Sequence, residues 1–119
     1  MGDEDMSLQC TFRDAGTVTV VDFSGKITLG EGSALLRKTI RGLLDEGRMK
    51  LLIDLGDVDY IDSAGIGEMV TAYTTVKNRG GELKLLNLTK KVKDLLQITK
   101  LYTVFDVHGE EAEAVRSFK

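Results

Sequence analysis

The sequence contains no proline, one cysteine and one histidine. A single cysteine cannot form an internal disulfide, and Cys10 is expected to pack as a small apolar side chain. The chain also lacks an apolar run of the roughly 18 residues that a membrane span needs, and it lacks the pattern of a secretory signal. These absences predict a cytoplasmic protein that is not inserted in a membrane.

An excess of basic charge is missing as well. The 16 lysines and arginines are interspersed with 19 acidic residues, which gives a formal net charge of -3. A nucleic-acid groove needs a basic face, so this balance argues against nucleic acid as a partner. Potential metal ligands are not clustered along the chain, and we therefore predict no metal site and no bound cofactor.

What is present fits one globular domain. Apolar residues make up 42% of the 119 residues and charged residues 29%, without repeats, low-complexity tracts or linkers. A chain of this length buries roughly two-thirds of its surface on folding, so it can fold without disulfides or metals. We predict a solvated acidic tail over residues 1–7 and a single domain over residues 8–118.

Hydrophobic periodicity predicts an N-terminal β-hairpin with a turn at Asp14-Ala15-Gly16 and an end at Gly25. Its apolar positions are Leu8, Cys10, Phe12, Val18, Val20, Val21 and Phe23. A first helix is expected to begin at Thr28, where Thr28 and Glu31 fit a capping box, and to stop at Gly47. The apolar face of this helix is Leu36, Ile40, Leu43 and Leu44.

The rest of the chain alternates strands and helices. Leu51–Leu55 is apolar enough to form a central strand that is covered on both faces. A second helix starts at Asp62-Ser63 and stops at Gly80-Gly81, with Ile66, Met69, Val70, Tyr73 and Val76 on its apolar face. The remaining predicted elements are a strand over 83–86, a helix capped by Thr89, a strand over 104–107 and a helix over 112–115. This order predicts an α/β fold, a mixed β-sheet of about five strands with about four helices packed against it.

The most informative segment is 58–69, which joins the buried strand to the second helix. A helix N-terminus carries free N–H groups and a partial positive charge. A phosphate attached to Ser63 would be stabilised by those groups. The small residues Ala64, Gly65 and Gly67 leave the backbone open to close approach by another protein.

A structural interpretation fits the same residues. Aspartate and serine are among the commonest N-cap residues, so Asp62-Ser63 is also what a plain helix start requires. Asp62 is placed either to cap the helix or to orient an incoming group. Gly65 and Gly67 equally suit close packing of the helix on its strand. Local physics therefore leaves a functional and a structural role open for this segment.

The run from Tyr60 to Met69, with Asp-Ser-Ala-Gly-Ile-Gly at its centre, resembles the signature of the STAS domain, and in particular of the bacterial anti-sigma factor antagonists. The surrounding features occur in the family's order. They are the hairpin followed by Phe23–Ile27, the helix from Leu29, the strand Leu51–Leu55, Gly80-Gly81 before a strand, Asn87-Leu88 after it and the late strand with Phe105. The resemblance covers about residues 8 to 118.

The resemblance implies a protein that is switched by phosphorylation and is not itself an enzyme. Its unmodified form would bind a serine kinase that is also the anti-sigma factor, and so release the sigma factor. That kinase would use ATP to phosphorylate Ser63, and a PP2C-type phosphatase would reset the switch. The implied contact surface is Asp62, Ala64, Gly65, Ile66 and Gly67, with the loop Lys26, Ile27 and Thr28 beside it. The protein itself would be a monomer or a weak dimer.

One residue departs from the family pattern. Many members carry an aspartate in a Gly-x-Leu-Asp sequence after the second strand, and Thr28 stands at the corresponding position here. The change removes a charge near the implied interface, which leaves the identity of the partner open. Thr28 also fits the plain role of a helix N-cap.

Three other functions are less well matched by the sequence. A scaffold or sensor-complex subunit regulated by phosphorylation usually carries a further sensory domain, for which this chain is too short. Nucleotide binding finds some support in Gly65-Ile66-Gly67, but the third glycine of a dinucleotide fingerprint would fall at Val70. A serine hydrolase needs a base near its nucleophile, and nothing in the sequence brings His108 close to Ser63.

Overall fold

The computed structural model describes residues 8–119, and the predicted acidic tail over residues 1–7 lies outside them. Within this part of the chain, five strands and four helices follow one another in the predicted α/β order. The strands are β1 (Leu8–Ala15), β2 (Val18–Ile27), β3 (Lys50–Ile61), β4 (Glu82–Leu86) and β5 (Val107–His108). The helices are α1 (Glu31–Asp45), α2 (Ser63–Asn78), α3 (Lys90–Ile98) and α4 (Glu111–Arg116).

The strands form one mixed sheet in the order β1-β2-β3-β4-β5. β1 pairs antiparallel with β2 through the hairpin, and the other neighbours pair in parallel. Because each parallel strand lies beside the preceding one, connections of a single hand place α1, α2 and α3 on the same face of the sheet. Their buried residues accordingly share one core cluster with the strands. The predicted fold class is confirmed.

The sheet divides the core into two unequal parts. The larger part lies between the sheet and α1, α2 and α3, and its buried side chains include Val21, Phe23, Leu36, Ile53 and Leu85. The smaller part lies under α4 on the opposite face and consists of Val18, Val20, Leu52, Leu86 and Ala114. Successive side chains of the central strands point to opposite faces, so these strands contribute apolar side chains to both parts of the core. The nearly continuous apolar run of β3 predicts this arrangement.

Both central strands run further than the sequence predicts. β2 passes through Gly25, which has a φ of 109° beside a register irregularity, and continues to Ile27. β3 extends beyond Leu55 to Ile61, which pairs with Ile27. Within the described residues the antiparallel pairing with β1 ends at Gly25, opposite Leu8, as predicted for the hairpin. β2 itself continues, because glycine can adopt a positive φ at a bulge without ending the strand.

The start of α1 lacks the predicted capping box. The helix begins at Glu31, its N-cap is Gly30 with a φ of 98°, and no side chain caps it. Thr28 lies before this turn, and its carbonyl accepts hydrogen bonds from Ser33 N–H (3.0 Å) and Ser33 Oγ (2.9 Å). The predicted N-cap at Thr28 was wrong because Gly30 takes up the left-handed conformation, which turns the chain two residues later.

The helix stops follow the prediction. Gly47 and Gly80, directly after the C-cap residues of α1 and α2, have φ values of 87° and 85°. Behind Gly80, the N–H of Gly81 donates to the carbonyl of Val76 at 2.9 Å. This arrangement is the Schellman motif, in which a left-handed residue lets the chain satisfy the last helical carbonyls.

The C-terminal elements are partly as predicted. Thr89 caps α3, with its Oγ1 accepting from the Val92 N–H at 3.5 Å. α4 covers the predicted last helix. The last strand is shorter than expected, because β5 contains only Val107-His108. Phe105 is buried just before it, and its ring meets Tyr73 edge to face with centroids 5.5 Å apart. Side-chain packing, rather than strand pairing, explains the apolar pattern there.

Candidate functional site

Two junctions between a strand and a helix lie side by side at one end of the sheet. Ile27 at the end of β2 pairs with Ile61 at the end of β3, and the N–H of Asp62 donates to the carbonyl of Ile27 at 3.2 Å. α1 and α2 follow these strand ends directly. In sheets of parallel strands, binding sites form at this carboxyl end. The fold therefore places the 62–67 segment where a partner can reach it.

Asp62 holds the two junctions together through both oxygens of its side chain. It is the N-cap of α2, and its Oδ1 accepts from the Gly65 N–H at 2.8 Å. Its Oδ2 accepts from the Leu29 N–H, 3.1 Å away in the loop that leads into α1. The carboxylate thus satisfies free N–H groups at two helix starts. The predicted capping role is confirmed.

Ser63 is the first residue of α2 and is exposed. Since Asp62 already caps the helix, the hydroxyl of Ser63 is not needed for that purpose. Its place in the first turn also puts it near the positive end of the helix. A group attached to this oxygen would stand in solvent, next to the carboxylate of Asp62.

The two glycines of the segment have opposite surroundings. Gly65 is buried, and an ideal Cβ built on it would overlap the carbonyl oxygen of Ile27 and lie 2.8 Å from Ile61 Cγ1. Gly67 is exposed, and a Cβ there would meet no atom within 4 Å. Gly65 is therefore required for the close approach of α2 to β2, whereas Gly67 leaves the outer surface of the helix open.

The other predicted contact residues of α2 lie at different depths. Ala64 is half-buried, and Ile66, only 4% exposed, belongs to the main core. Of the five predicted contact residues in segment 62–67, Asp62, Ala64 and Gly67 reach the surface together with Ser63, whereas Gly65 and Ile66 face inward. The inward pair supports the segment by packing and offers little surface for contact.

The Lys26–Thr28 segment lies beside α2, as expected. Ile27 is fully buried, and Thr28 is half-buried, with its carbonyl bound to Ser33. Lys26 is the member that reaches outward. Its Nζ lies 3.2 Å from Asp59 Oδ1 and 6.0 Å from the centroid of the Tyr60 ring.

A groove of about 490 Å³ opens between the end of β3, the start of α2 and helix α3. It is lined by Tyr60, Ile61, Asp62, Ser63, Lys91, Asp94, Leu95 and Ile98. The residues contributed by α3 were not predicted from the sequence. Ile98 is two positions beyond Leu96 and so falls off the apolar face of that helix, which is the only sequence signal that it is exposed.

A pair of acidic residues lies outside this groove. On the opposite face, Asp22 and Asp54 are neighbours in the pairing of β2 with β3. Burial, together with a hydrogen bond to Asp54, raises the pKa of Asp22, although Arg13 opposes the shift. Among residues 8–119, no group of three or more potential ligands has the geometry to hold a metal ion.

His108 lies on β5, and its contacts differ from those of the histidine in a catalytic triad. Its Nε2 faces both Asp106 Oδ1 (3.2 Å) and Ser117 Oγ (3.5 Å). A catalytic triad needs the two partners on different ring nitrogens. Ser117 also donates to the carbonyl of Ala114 at 2.6 Å. These contacts tie α4 to the sheet.

In the described part of the chain, no helix has the length and apolar character needed to cross a bilayer.

Comparison with known proteins identifies the family. The model of the STAS domain matches residues 10–114. The anti-sigma-B factor antagonist of Bacillus subtilis is 34% identical over 96 residues, covering 81% of this chain and 86% of that protein. An anti-sigma factor antagonist from Mycobacterium paratuberculosis superimposes with a TM-score of 0.83 at 20% identity, over 94% of each chain. The phosphorylated form of the Bacillus cell fate determinant SpoIIAA gives a TM-score of 0.69 at 16% identity, over 91% of this chain and 97% of that one. The chain belongs to the STAS domain family.

Proposed function

We propose that this protein is an anti-sigma factor antagonist controlled by phosphorylation of Ser63. In its unmodified form it binds a serine kinase that also acts as the anti-sigma factor, and the sigma factor is released. The observation that carries the proposal is the exposed serine at the start of α2, inside the family motif and beside a carboxylate that already caps the helix. The name of the Bacillus subtilis relative, an anti-sigma-B factor antagonist, supports the antagonist part of the proposal.

The chemistry of the switch belongs to the partners. The kinase transfers the γ-phosphoryl group of ATP to the Ser63 hydroxyl, releasing ADP and the hydroxyl proton. A PP2C-type phosphatase hydrolyses the phosphoserine and restores the binding form. The antagonist supplies an accessible hydroxyl and a docking surface, needs no cofactor of its own and acts in the cytoplasm.

Phosphorylation weakens docking through charge. A phosphoserine carries about -1.5 to -2 charges at neutral pH. Asp62 cannot turn away from it without losing its hydrogen bonds to Leu29 and Gly65. Two anions held together in a desolvated contact cost several kcal/mol. Since about 1.4 kcal/mol is a factor of ten in affinity, binding falls by about a hundredfold or more.

Thr28 affects the choice of partner more than the switch itself. It lies in the loop next to Asp62 and is uncharged where many family members have an aspartate. The proposed interface therefore has one negative charge fewer, and the identity of the partner depends on this difference. The phosphoacceptor chemistry at Ser63 does not depend on this difference.

The test is to incubate the protein with its cognate kinase and ATP, and to locate the phosphate by mass spectrometry. We expect it on Ser63. Thr71 is a matched control because it is exposed on the same helix but lies outside the first turn. Phosphate mainly on Thr71, Thr28 or Ser24 would refute the assignment.

Binding is then measured by titration calorimetry in the absence of ATP. Ser63→Ala should bind the kinase like the wild type, whereas Ser63→Asp should bind at least about tenfold more weakly, because one added charge carries part of the repulsion of a phosphate. Equal affinities for the two variants would remove the electrostatic mechanism.

A further inference from the structure

Large apolar side chains are exposed unevenly over the molecule. Among residues 8–119, four of them are exposed: Leu29 (79%), Ile98 (77%), Phe12 (48%) and Tyr60 (41%). A single exposed apolar side chain is ordinary, but a concentration of them marks an interaction surface. Leu29, Tyr60 and Ile98, here called the apolar triad, all lie at the end of the sheet that carries Ser63.

The members of the triad stand on both sides of the junction between β3 and α2. Leu29 follows β2, and its N–H is bound to Asp62 Oδ2 at 3.1 Å. Tyr60 and Ile98 line the groove that also contains Ser63. Because β3 lies between β2 and β4 in the sheet, Leu29 and Ile98 approach the junction from opposite directions. Ser63 therefore lies between exposed apolar side chains.

Positive charge accompanies the triad. Lys26 Nζ and Lys91 Nζ lie 6.0 Å and 5.7 Å from the centroid of the Tyr60 ring. Lys26 is paired with Asp59 at 3.2 Å. Lys91 has no ion pair with any carboxylate of residues 8–119, the part of the chain that the structure describes. A partner carboxylate would complement it, and the apolar groove beside it would strengthen that contact by excluding water.

We propose that the apolar triad and Lys91 form the docking surface for one segment of the partner kinase. That segment presents apolar side chains to Leu29 and Ile98 and a carboxylate to Lys91. This inference rests on the proposed function and adds contact residues outside the family motif. It also increases the loss of affinity on phosphorylation, because a phosphate on Ser63 would lie within the apolar contact and would repel the carboxylate of the partner.

Asp62 acts in this arrangement as a positioning residue. Its Oδ2 holds the backbone of Leu29 next to α2, while its Oδ1 holds the first turn of α2. The backbone from which the side chain of Leu29 projects is thereby fixed relative to Ser63. A fixed anchor binds a partner more tightly than a mobile one, because less conformational entropy is lost on docking.

The experiment uses purified proteins. Each serine kinase with anti-sigma activity from the source organism is tested, and the one that phosphorylates Ser63 is titrated with variants of the full chain in the absence of ATP. Leu29→Ala and Ile98→Ala should each weaken binding by about tenfold, as expected for central apolar anchors. Phe12→Ala is the matched control, since Phe12 is also exposed but lies on β1, and its affinity should stay within about twofold of the wild type.

The charge is tested by reversal. Lys91→Glu should weaken binding by about tenfold or more, and the loss should shrink as salt is raised. Lys38→Glu makes the same change on the exposed surface of α1 and should leave the affinity nearly unchanged. Leu29 and Ile98 are more than three-quarters exposed, so both alanine variants should fold, and thermal unfolding verifies this.

The positioning role is tested by a double-mutant cycle. Asp62→Asn should weaken binding in the wild-type background but much less in the Leu29→Ala background, because the anchor is then already absent. Equal losses of binding affinity in both backgrounds would mean that Asp62 does not position Leu29 and acts only as a helix cap.

The outcomes separate the two proposals. If no such kinase binds the wild type or phosphorylates Ser63, the proposed function fails and this inference fails with it. If the wild type binds and Ser63→Asp weakens binding, while the triad and Lys91 variants bind as the wild type does, then only the docking surface is refuted.

Discussion

The two helix starts at the end of the sheet are neighbours with similar surroundings but different construction. α1 and α2 both follow parallel strands whose ends pair, and both press a glycine onto the end of β2. An ideal Cβ on Gly32 would lie 2.9 Å from the carbonyl oxygen of Lys26, and one on Gly65 would overlap that of Ile27. α2 is capped by its own aspartate, whereas α1 has a glycine N-cap and depends on that same aspartate for the Leu29 N–H.

This difference decides what each serine can do. Ser33, in the first turn of α1, is 6% exposed and donates its hydroxyl to the carbonyl of Thr28 at 2.9 Å. Ser63, in the first turn of α2, is exposed, because Asp62 does the capping. Two serines at adjacent helix starts thus have opposite surroundings: Ser33 is bonded within the fold, and Ser63 is exposed to solvent.

The largest expected effect is at Gly65. Gly65→Ala places a methyl group against the Ile27 carbonyl and 2.8 Å from Ile61 Cγ1, and neither backbone nor core can yield freely. We expect the free energy of unfolding to fall by about 3 kcal/mol, the upper part of the range for overpacking. Urea denaturation measures it.

Gly67→Ala is the matched control for that change. It adds the same methyl group to the same helix, where nothing lies within 4 Å and φ is not positive. The alanine should raise stability by about 0.5–1 kcal/mol, since glycine is a poor helix residue. Similar results for the two glycines would contradict the division of the segment into an inner and an outer side.

The second largest expected effect is at Asp62, whose carboxylate binds both the start of α2 and the loop before α1. Asp62→Ala removes the acceptor for Gly65 N–H and for Leu29 N–H together. The loss of an N-cap costs about 0.5–2 kcal/mol, and the second lost bond places the expected value in the upper half of that range. Urea denaturation measures the decrease in the free energy of unfolding that the loss of both hydrogen bonds causes.

Amide hydrogen exchange separates the two bonds. In Asp62→Ala the amide of Leu29 should exchange faster than in the wild type, although it lies outside α2. Unchanged exchange at Leu29 would mean that the carboxylate serves only its own helix. Asp62→Asn, which keeps one acceptor oxygen, should fall between the wild type and the alanine variant.

Most of the fold could be predicted from the sequence because its signals are local. The apolar period of 2 in the hairpin, the period near 3.6 in α1 and the glycines after the helix stops each depend on neighbouring residues. The start of α1 could not be predicted in this way. Thr28 and Glu31 satisfy the local pattern of a capping box, but Gly30 adopts a φ of 98° and the helix starts later.

The candidate site was predictable only in part. The motif indicated Asp62 and Ser63 at a helix start, and both are there. Gly65 and Gly67 cannot be told apart from the sequence, because the difference comes from the distance between α2 and the end of β2. Lys91 and Ile98 were missed for a similar reason. They lie 22 and 29 residues beyond Met69, the end of the motif, and only the packing of α3 beside β3 brings them to the groove.

The smallest expected effect compares the two serines directly. Ser33→Ala removes a buried hydroxyl that is bonded to the Thr28 carbonyl, which keeps its second bond from the Ser33 N–H. A loss of about 0.5–1 kcal/mol in the free energy of unfolding is expected, since a buried hydrogen bond contributes about 1 kcal/mol and alanine recovers part of it by its helix propensity. Ser63→Ala removes an exposed hydroxyl from the equivalent turn of α2 and should change stability by less than about 0.5 kcal/mol. Both values come from urea denaturation under the same conditions. A loss at Ser63 as large as that at Ser33 would mean that the Ser63 hydroxyl is engaged by the fold, and a hydroxyl so engaged is a poor substrate for a kinase.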